Sequence, residues 1–247
     1  MTLEEFFRQV PRAALAFSGG TDSALLLWAA KQYGCDVRAY YVRTAFQPQF
    51  EYEDACRLTR ELEVPMTVVE ADILAVPLAA ANGPQRCYHC KRALFTQLWQ
   101  AARRDGYTVL LDGTNASDDA GDRPGMRALR ELEVRSPLRE CGLTKDMVRR
   151  LSREAGLFTW DKPAYACLAT RVPTGTPITA EDLARVERGE EALFRLGFTD
   201  FRLRLFHGAA RLQVPPEQTA RAAALRQEIT RALEGDFSAV LLDLAGR

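Results

Sequence analysis

Ser18-Gly19-Gly20-Thr21-Asp22-Ser23 gathers hydroxyls, a carboxylate and a glycine pair into six consecutive positions. A short apolar run ends before it and a helix-forming apolar run to about Lys31 follows, so the stretch reads as a tight loop between a strand and a helix. Gly19 and Gly20 can take positive φ and let the backbone come close to a ligand. Ser18, Thr21 and Ser23 add hydroxyl donors. The first turn of the next helix offers unpaired N–H groups at the positive end of its dipole. Together these features predict a cradle for a pyrophosphate, with Asp22 as a candidate catalytic carboxylate. The spacing is neither Gly-x-x-x-x-Gly-Lys-Ser/Thr nor Gly-x-Gly-x-x-Gly.

A second polar stretch, Gly113-Thr114-Asn115-Ala116-Ser117-Asp118-Asp119, follows the apolar run Thr108–Asp112. Ligands bind at strand ends of a parallel sheet. A glycine for close approach, a hydroxyl, an amide and carboxylates suit a nucleotide and Mg²⁺ there. Gly113, Thr114, Asn115 and Asp118 are therefore candidate nucleotide-binding residues.

The third group is sulfur. Cys87 and Cys90 form a Cys-x-x-Cys, which alone fits a redox dithiol, half a metal site or chance. A structural zinc site usually needs four ligands, and no second pair exists. Cys167 lies in a polar stretch with Lys162 and Arg171, whose charges are expected to lower its pKa and favour the thiolate. Three thiolates, Cys87, Cys90 and Cys167, could hold a [4Fe–4S] cluster with one iron open to a sulfide. These residues are far apart in sequence, so their convergence is an expectation. Cys35 and Cys56 read as small buried residues, and Cys141 has no assigned role.

The elements that must position these groups follow from periodicity. A short helix over residues 2–10, strands at Ala14–Phe17, Asp36–Arg43, Met66–Ala71 and Thr108–Asp112, and helices at Ser23–Tyr33 and Glu51–Leu62 alternate as β-α-β-α-β. That rhythm predicts a parallel sheet with helices on both faces. A helix is expected after the Cys-x-x-Cys to about Arg104, a loop at Asp122-Arg123-Pro124-Gly125 and an extended piece at Glu133–Pro137. A helix from Thr144 to Ala155 carries Lys145 near its start, where a cation opposes the dipole and where an anion contact or simple solvation could account for it. Trp160–Gly175 reads as a structured loop. From Ile178 the pattern changes to a helix at Thr179–Leu196, a hairpin from Phe201 to Val214, a helix at Thr219–Leu233 and a strand at Ala239–Leu244. The fold class is thus α/β, with a parallel-sheet domain over 1–173 and a smaller α+β domain over 174–247.

Bulk properties narrow the function classes. The chain has 247 residues, 33 basic and 33 acidic, for a formal net charge of zero. That balance argues against a broad nucleic-acid surface. No apolar segment approaches the ~20 residues of a membrane span, and the amphipathic N-terminus lacks a signal-peptide core, so a cytoplasmic location is expected. Six cysteines in a chain this long are not a disulfide framework.

Ser-Gly-Gly-x-Asp-Ser after a strand resembles the PP-loop of ATP pyrophosphatases. The resemblance implies ATP, Mg²⁺ and an adenylated intermediate. Arg86-Cys87-Tyr88-His89-Cys90-Lys91-Arg92-Ala93-Leu94-Phe95, Gly113 to Asp119, Arg123-Pro124-Gly125 and Ala166-Cys167-Leu168-Ala169-Thr170-Arg171 together look like the LarE family, over nearly the whole chain. That family comprises ATP-dependent sulfur transferases of nickel-pincer nucleotide biosynthesis. The resemblance implies adenylation of a carboxylate on a pyridinium dicarboxylate mononucleotide, attack by sulfur at the Cys167 position and loss of AMP. Some members sacrifice that cysteine's sulfur; members with three cysteines are thought to use a cluster. Arg202, Arg204 and Arg211 are expected to bind the substrate phosphate, since arginine matches it bidentately. Where the family tends to read Arg-Ile-Glu, this chain has Arg211-Leu212-Gln213. A small nucleotide-like substrate and a homo-oligomer are expected, with no membrane or nucleic-acid partner. The rival readings are a tRNA-modifying PP-loop thiolase, an amidating PP-loop synthetase and a nucleotide-binding module without chemistry.

Overall fold

The computed structural model describes residues 1–118 and 124–247. Asp119, Asp122 and Arg123 lie outside the described residues. Thr2 caps α1 (Leu3–Gln9) in a capping box: its hydroxyl accepts from the Glu5 N–H while Glu5 reaches back to the Thr2 N–H. The chain then runs through β1 (Arg12–Ala16), α2 (Thr21–Gln32), β2 (Asp36–Arg43), α3 (Gln49–Glu61), β3 (Met66–Glu70), a short α4 (Pro77–Ala80), α5 (Arg86–Arg104) and β4 (Leu110–Leu111). These strands form one parallel sheet in the order β3-β2-β1-β4. Parallel neighbours need crossovers, and the helices between the strands supply them. Successive strand residues then face opposite helical layers. Ala13, Leu15 and Tyr41 join Phe6, Leu26 and Leu58 in one core, whereas Ala14, Tyr40 and Leu110 pack with Leu98 and Ala102 of α5 in another.

Beyond β4 come α6 (Pro124–Glu131), α7 (Pro137–Glu140) and α8 (Lys145–Glu154). The expected extended piece at 133–137 is reduced to a single parallel bridge between Leu111 and Arg135. Thr144 caps α8 by accepting from the Met147 N–H. A 3-10 turn at Leu168–Arg171 starts immediately after Cys167. Then follow α9 (Ala180–Arg195), β5 (Arg202–Phe206), β6 (Ala209–Gln213), α10 (Pro216–Ala224), α11 (Arg226–Leu233) and β7 (Val240–Leu242). The expected helix over Thr219–Leu233 is two helices that meet at Leu225. In the second sheet, β5 and β6 pair antiparallel, with Arg204 opposite Arg211, and β7 adds parallel to β6. The positive φ of His207 and Gly208 closes the two-residue hairpin turn. A further core joins Phe46, Ile73 and Leu94 to Leu168, Val172, Leu183, Leu203 and Phe237. Among the described residues no helix is long and apolar enough to cross a membrane.

Candidate active site

The glycine-rich loop joins β1 to α2 at the carboxyl edge of the parallel sheet. Gly19 has φ +71°, and a Cβ there would lie 3.1 Å from Ala55 N and from Glu51 O of α3. Both the backbone conformation and the close helix require glycine. Gly20 differs from expectation: it is the N-cap of α2 with φ −81°, an ordinary extended conformation. Ser18 Oγ and Ser23 Oγ lie 3.0 Å apart inside the loop, and Ser23 also donates to Gly20 O at 3.1 Å. The Thr21 hydroxyl is buried and donates to Thr159 O at 2.7 Å, so it braces the loop against the segment that follows α8. With the Ser18 and Ser23 hydroxyls bonded inside the loop, the donors left to a ligand are the first-turn N–H groups of α2.

Asp22, in the first turn of α2, is held by two other elements. Asn115 Nδ2 donates to its Oδ1 at 3.0 Å and Lys145 Nζ to its Oδ2 at 2.5 Å. The odd placement of Lys145 at the start of α8 thus has a partner on a different element. Asn115 is itself held, its Oδ1 accepting from the Ser117 N–H at 2.8 Å, while its own N–H donates to Asp118 at 3.0 Å. Thr114 donates to the buried Asp112, which also accepts from Ser136 at 2.6 Å. A Cβ on Gly113 would meet Ser23 N at 2.9 Å, so only glycine lets the end of β4 abut the first turn of α2.

A cavity of about 270 Å³ opens here, and the expected Gly19, Thr21 and Asn115 do not line it. Ser18, Gly20, Asp22, Ser23, Gly113, Thr114 and Asp118 face it, and Lys91 and Phe95 of α5 complete the wall. Sequence reasoning missed the last two, although both lie inside the Arg-Cys-Tyr-His-Cys-Lys motif stretch at i, i+4 on one helical face.

The same helix carries Cys87 and Cys90 in its first turns, not in a preceding loop. Cys167 stands at the start of the Leu168–Arg171 turn. Cys90 and Cys167 pack against the same hydrophobic core. Arg86 bridges the two segments. Its guanidinium donates to Asn82 Oδ1 at 2.6 Å and to Ala169 O at 2.9 Å, and lies 3.9 Å from Cys87 Sγ. Asn82 is fully buried at φ +55° and donates to Pro173 O and Thr176 O at 2.9 and 3.0 Å. Asn82 carries no signal that a single sequence displays, whereas Arg86 opens the Cys-x-x-Cys motif stretch.

The expected lowering of the Cys167 pKa is corrected. Burial is the largest influence and raises it, with Arg86 and Arg171 opposing and Cys87 reinforcing. Burial likewise pushes the Cys90 thiol up to about 12. Desolvation of the thiolate outweighs the nearby cations. Among the described residues no group of three His, Cys, Asp or Glu side chains converges as a metal site.

The three arginines assigned to substrate phosphate part company. Arg202 is buried and donates to Phe201 O at 2.7 Å and Ala164 O at 2.5 Å, which commits its guanidinium to backbone carbonyls. Arg204 donates to Gln213 Oε1 at 2.7 Å and to Thr170 O, and with Arg211 it lines a cavity of about 680 Å³ shared with Arg86, Arg171 and Arg185. Burial lowers the pKa of Arg204, and the Arg171 charge adds to the effect. Gln213, in place of the acid that the family tends to have, accepts from Arg204 and donates to Asp243 at 2.8 Å. Beneath the loop, burial raises the Glu51 carboxyl to about 7, with the Lys162 charge opposing. Lys162 pairs with Asp54 at 2.6 Å.

No protein-family model matches the chain. An uncharacterized protein of Synechocystis sp., slr1717, is 37% identical over 250 residues, covering 99% of this chain and 92% of that protein. The pyridinium-3,5-bisthiocarboxylic acid mononucleotide synthase of Lactiplantibacillus plantarum is 32% identical over 248 residues, covering 99% and 90%. The tRNA-specific 2-thiouridylase MnmA 1 of Clostridium botulinum is 25% identical over 181 residues, covering 60% of this chain and 51% of that one. The near end-to-end match to the synthase, on a parallel-sheet fold whose first turn is the glycine-rich loop, makes this chain a member of the LarE family of PP-loop, ATP-dependent sulfur transferases.

Proposed function

We propose that the protein adenylates a carboxylate of a pyridinium dicarboxylate mononucleotide and converts it to a thiocarboxylate. The observation that carries this reading is α5, which places Lys91 on the cavity beside the glycine-rich loop and packs Cys90 against the same core as Cys167, with Arg86 beside Cys87 reaching Ala169 O. One helix therefore couples the place where ATP would be cleaved to the place where sulfur would be handled. The substrate carboxylate attacks the α-phosphorus of ATP, and pyrophosphate leaves toward the Ser18–Ser23 loop. A carboxylate is a poor electrophile, and AMP is a good leaving group. Loop N–H groups, Lys91 and a Mg²⁺ held by Asp22 would stabilise the charge that develops on pyrophosphate. A sulfur nucleophile then attacks the acyl carbon, and AMP departs with the electron pair of the broken C–O bond.

The sulfur source is read as a three-cysteine cluster. Cys87, Cys90 and Cys167 are soft donors, which suits iron in donor chemistry. They would lose their protons on binding, as any thiolate ligand must. Held there, a [4Fe–4S] cluster would supply an exchangeable iron site for inorganic sulfide. The second reading is sacrifice of the Cys167 sulfur, which the absence of a converged metal group among the described residues favours. The anionic substrate suits the cavity lined by Arg204 and Arg211, with the region after residue 173 read as the substrate-binding and oligomerisation unit. A cytoplasmic homo-oligomer remains part of the proposal. MnmA-type tRNA chemistry is the alternative, and the net charge of zero speaks against the broad basic surface it needs.

The test is pyrophosphate release from ATP and thiocarboxylate formation by the anaerobically purified protein, beside its iron and acid-labile sulfide content. The expected result is release that depends on the mononucleotide and is lost in Asp22→Asn. About four irons and four sulfides per chain, lost in Cys87→Ala, Cys90→Ala and Cys167→Ala alike, would support the cluster. An iron-free protein whose Cys167 loses mass after one turnover would support sacrifice instead. Pyrophosphate release stimulated by tRNA and not by the mononucleotide would overturn the proposed substrate.

A further inference from the structure

Cys167 sits in a segment with almost no regular structure, yet one buried carboxylate holds both of its flanks. Glu190 of α9 is 2% exposed and Arg171 is 0% exposed. Arg171 donates from Nε to Glu190 Oε1 at 2.7 Å and from Nη2 to Oε2 at 3.2 Å. The Tyr165 hydroxyl, two residues before the cysteine, donates to the same Oε2. The Leu203 N–H of β5 donates to Oε1 at 3.1 Å. Arg171 extends the network inward: its Nη1 donates to Ala166 O at 3.0 Å and to Thr170 Oγ1 at 2.7 Å. Thr170 in turn donates from Oγ1 and from N–H to Cys167 O, at 2.9 and 3.0 Å. The Arg171 guanidinium also lies 4.6 Å from the Tyr165 ring centre.

We propose that Glu190 is the positioning residue of the sulfur-handling segment, fixing Tyr165 and Arg171 on either side of Cys167 and tying them to the second sheet. The inference rests on reading Cys167 as the residue that handles sulfur, and it adds which side chain sets that residue's place. Stability alone is a poor account of the pair. Taking two charges out of water costs several kcal/mol per ion, and well-packed apolar replacements are often no less stable. What an apolar pair cannot do is accept four directed hydrogen bonds and so select one path for the backbone through residues 165–171. Glu190 touches neither the nucleotide cavity nor Cys167 itself, so its effect passes through Tyr165, Arg171 and Thr170.

The test is the alkylation rate of Cys167 by iodoacetamide in the full chain, followed by peptide mass spectrometry, with the exposed Cys87 as internal reference. In Glu190→Gln the Cys167 rate is expected to rise about tenfold relative to Cys87, as a locally loosened segment opens more often. The kcat of thiocarboxylate formation is expected to fall while the KM for ATP stays within about twofold. Glu190→Asp, which keeps the charge, is expected to recover part of both effects. Tyr165→Phe removes one contact and leaves no charge unpaired, so it decides the matter if Glu190→Gln fails to fold; a rise of about threefold is expected. An unchanged Cys167 rate in the folded variants would overturn the proposal. Full sulfur transfer by Cys167→Ala would defeat the role given to Cys167 and leave the alkylation result standing on its own.

Discussion

Asp22, the carboxylate proposed to act at the glycine-rich loop, is held in place by residues of two other elements. Lys145 Nζ and Asn115 Nδ2 each take one of its oxygens, so its rotamer is set by residues from α8 and from the end of β4. A cation in the first turn of α8 opposes the helix dipole at a cost of about 0.3–1 kcal/mol. A charge-assisted hydrogen bond, worth about 1.5–3 kcal/mol, more than offsets it. Lys145→Ala should therefore slow pyrophosphate release about tenfold or more and lower the melting temperature by a few degrees; Lys145→Arg should recover part of both. Rapid-quench measurement of pyrophosphate under saturating ATP reads this directly. A normal rate in Lys145→Ala would mean that Asn115 alone orients Asp22. The thiols illustrate the opposite balance. Arg86 and Arg171 act on Cys167, yet burial prevails and its pKa lies above the ordinary thiol range. On the proposed reading, Cys167 starts as a thiol that loses its proton only on ligation or reaction.

At the scale of elements, the nucleotide cavity depends on how closely β4 and α2 approach. Gly113 is the contact that allows it, with Ser23 N 2.9 Å from where a Cβ would stand. The neighbouring atom is backbone at the first turn of a helix, so it cannot swing aside as a side-chain tip could. Gly113→Ala is expected to cost about 1–3 kcal/mol of stability, as overpacking does, and to weaken ATP binding by shifting the α2 N–H groups away from the loop. Thermal unfolding and titration calorimetry measure the two effects; unchanged binding with lowered stability would show that the strain relaxes into β4 instead. Helix α5 has the wider influence. Its amphipathic length packs Leu98 and Ala102 against the sheet. Its first turns present Cys87 and Cys90, and Lys91 and Phe95 point to the cavity. A tilt of that one helix would move both halves of the site together.

Across the whole molecule, the core of the second sheet reaches into the first half of the chain. Phe46, Ile73 and Leu94, from the first half of the chain, share a core with Leu183, Leu203, Val214 and Phe237. The Cys167 segment crosses that core: the Leu168 N–H donates to Phe46 O at 2.8 Å, and Ile178 N–H to Ala80 O at 2.8 Å. Arg247, the last residue, returns to donate to Ala164 O at 3.2 Å. A shared core predicts one cooperative unfolding transition by calorimetry, with equal calorimetric and van't Hoff enthalpies. Two resolved transitions would show instead that the regions before and after residue 173 unfold independently, as separate domains would.

Much of this protein was legible from the chain alone. Apolar runs ended by glycine and hydroxyl residues mark β1, the loop and α2, because a parallel strand buried on both faces must be apolar and the turn after it must be small. Strand β2 falls at the predicted Asp36–Arg43, and Thr144 and Thr179 cap α8 and α9 as their types and spacing require. These are local rules, and local sequence is enough for them. Tertiary structure alone decided which charge meets which. Lys145 on Asp22, Glu190 on Arg171 and Arg86 between Asn82 and Ala169 join residues that are 123, 19 and 83 positions apart or bridge separate elements. No periodicity encodes such pairs. The direction of the Cys167 shift was misread for the same reason: a neighbouring arginine is visible in sequence, but the burial that outweighs it is a property of the folded chain.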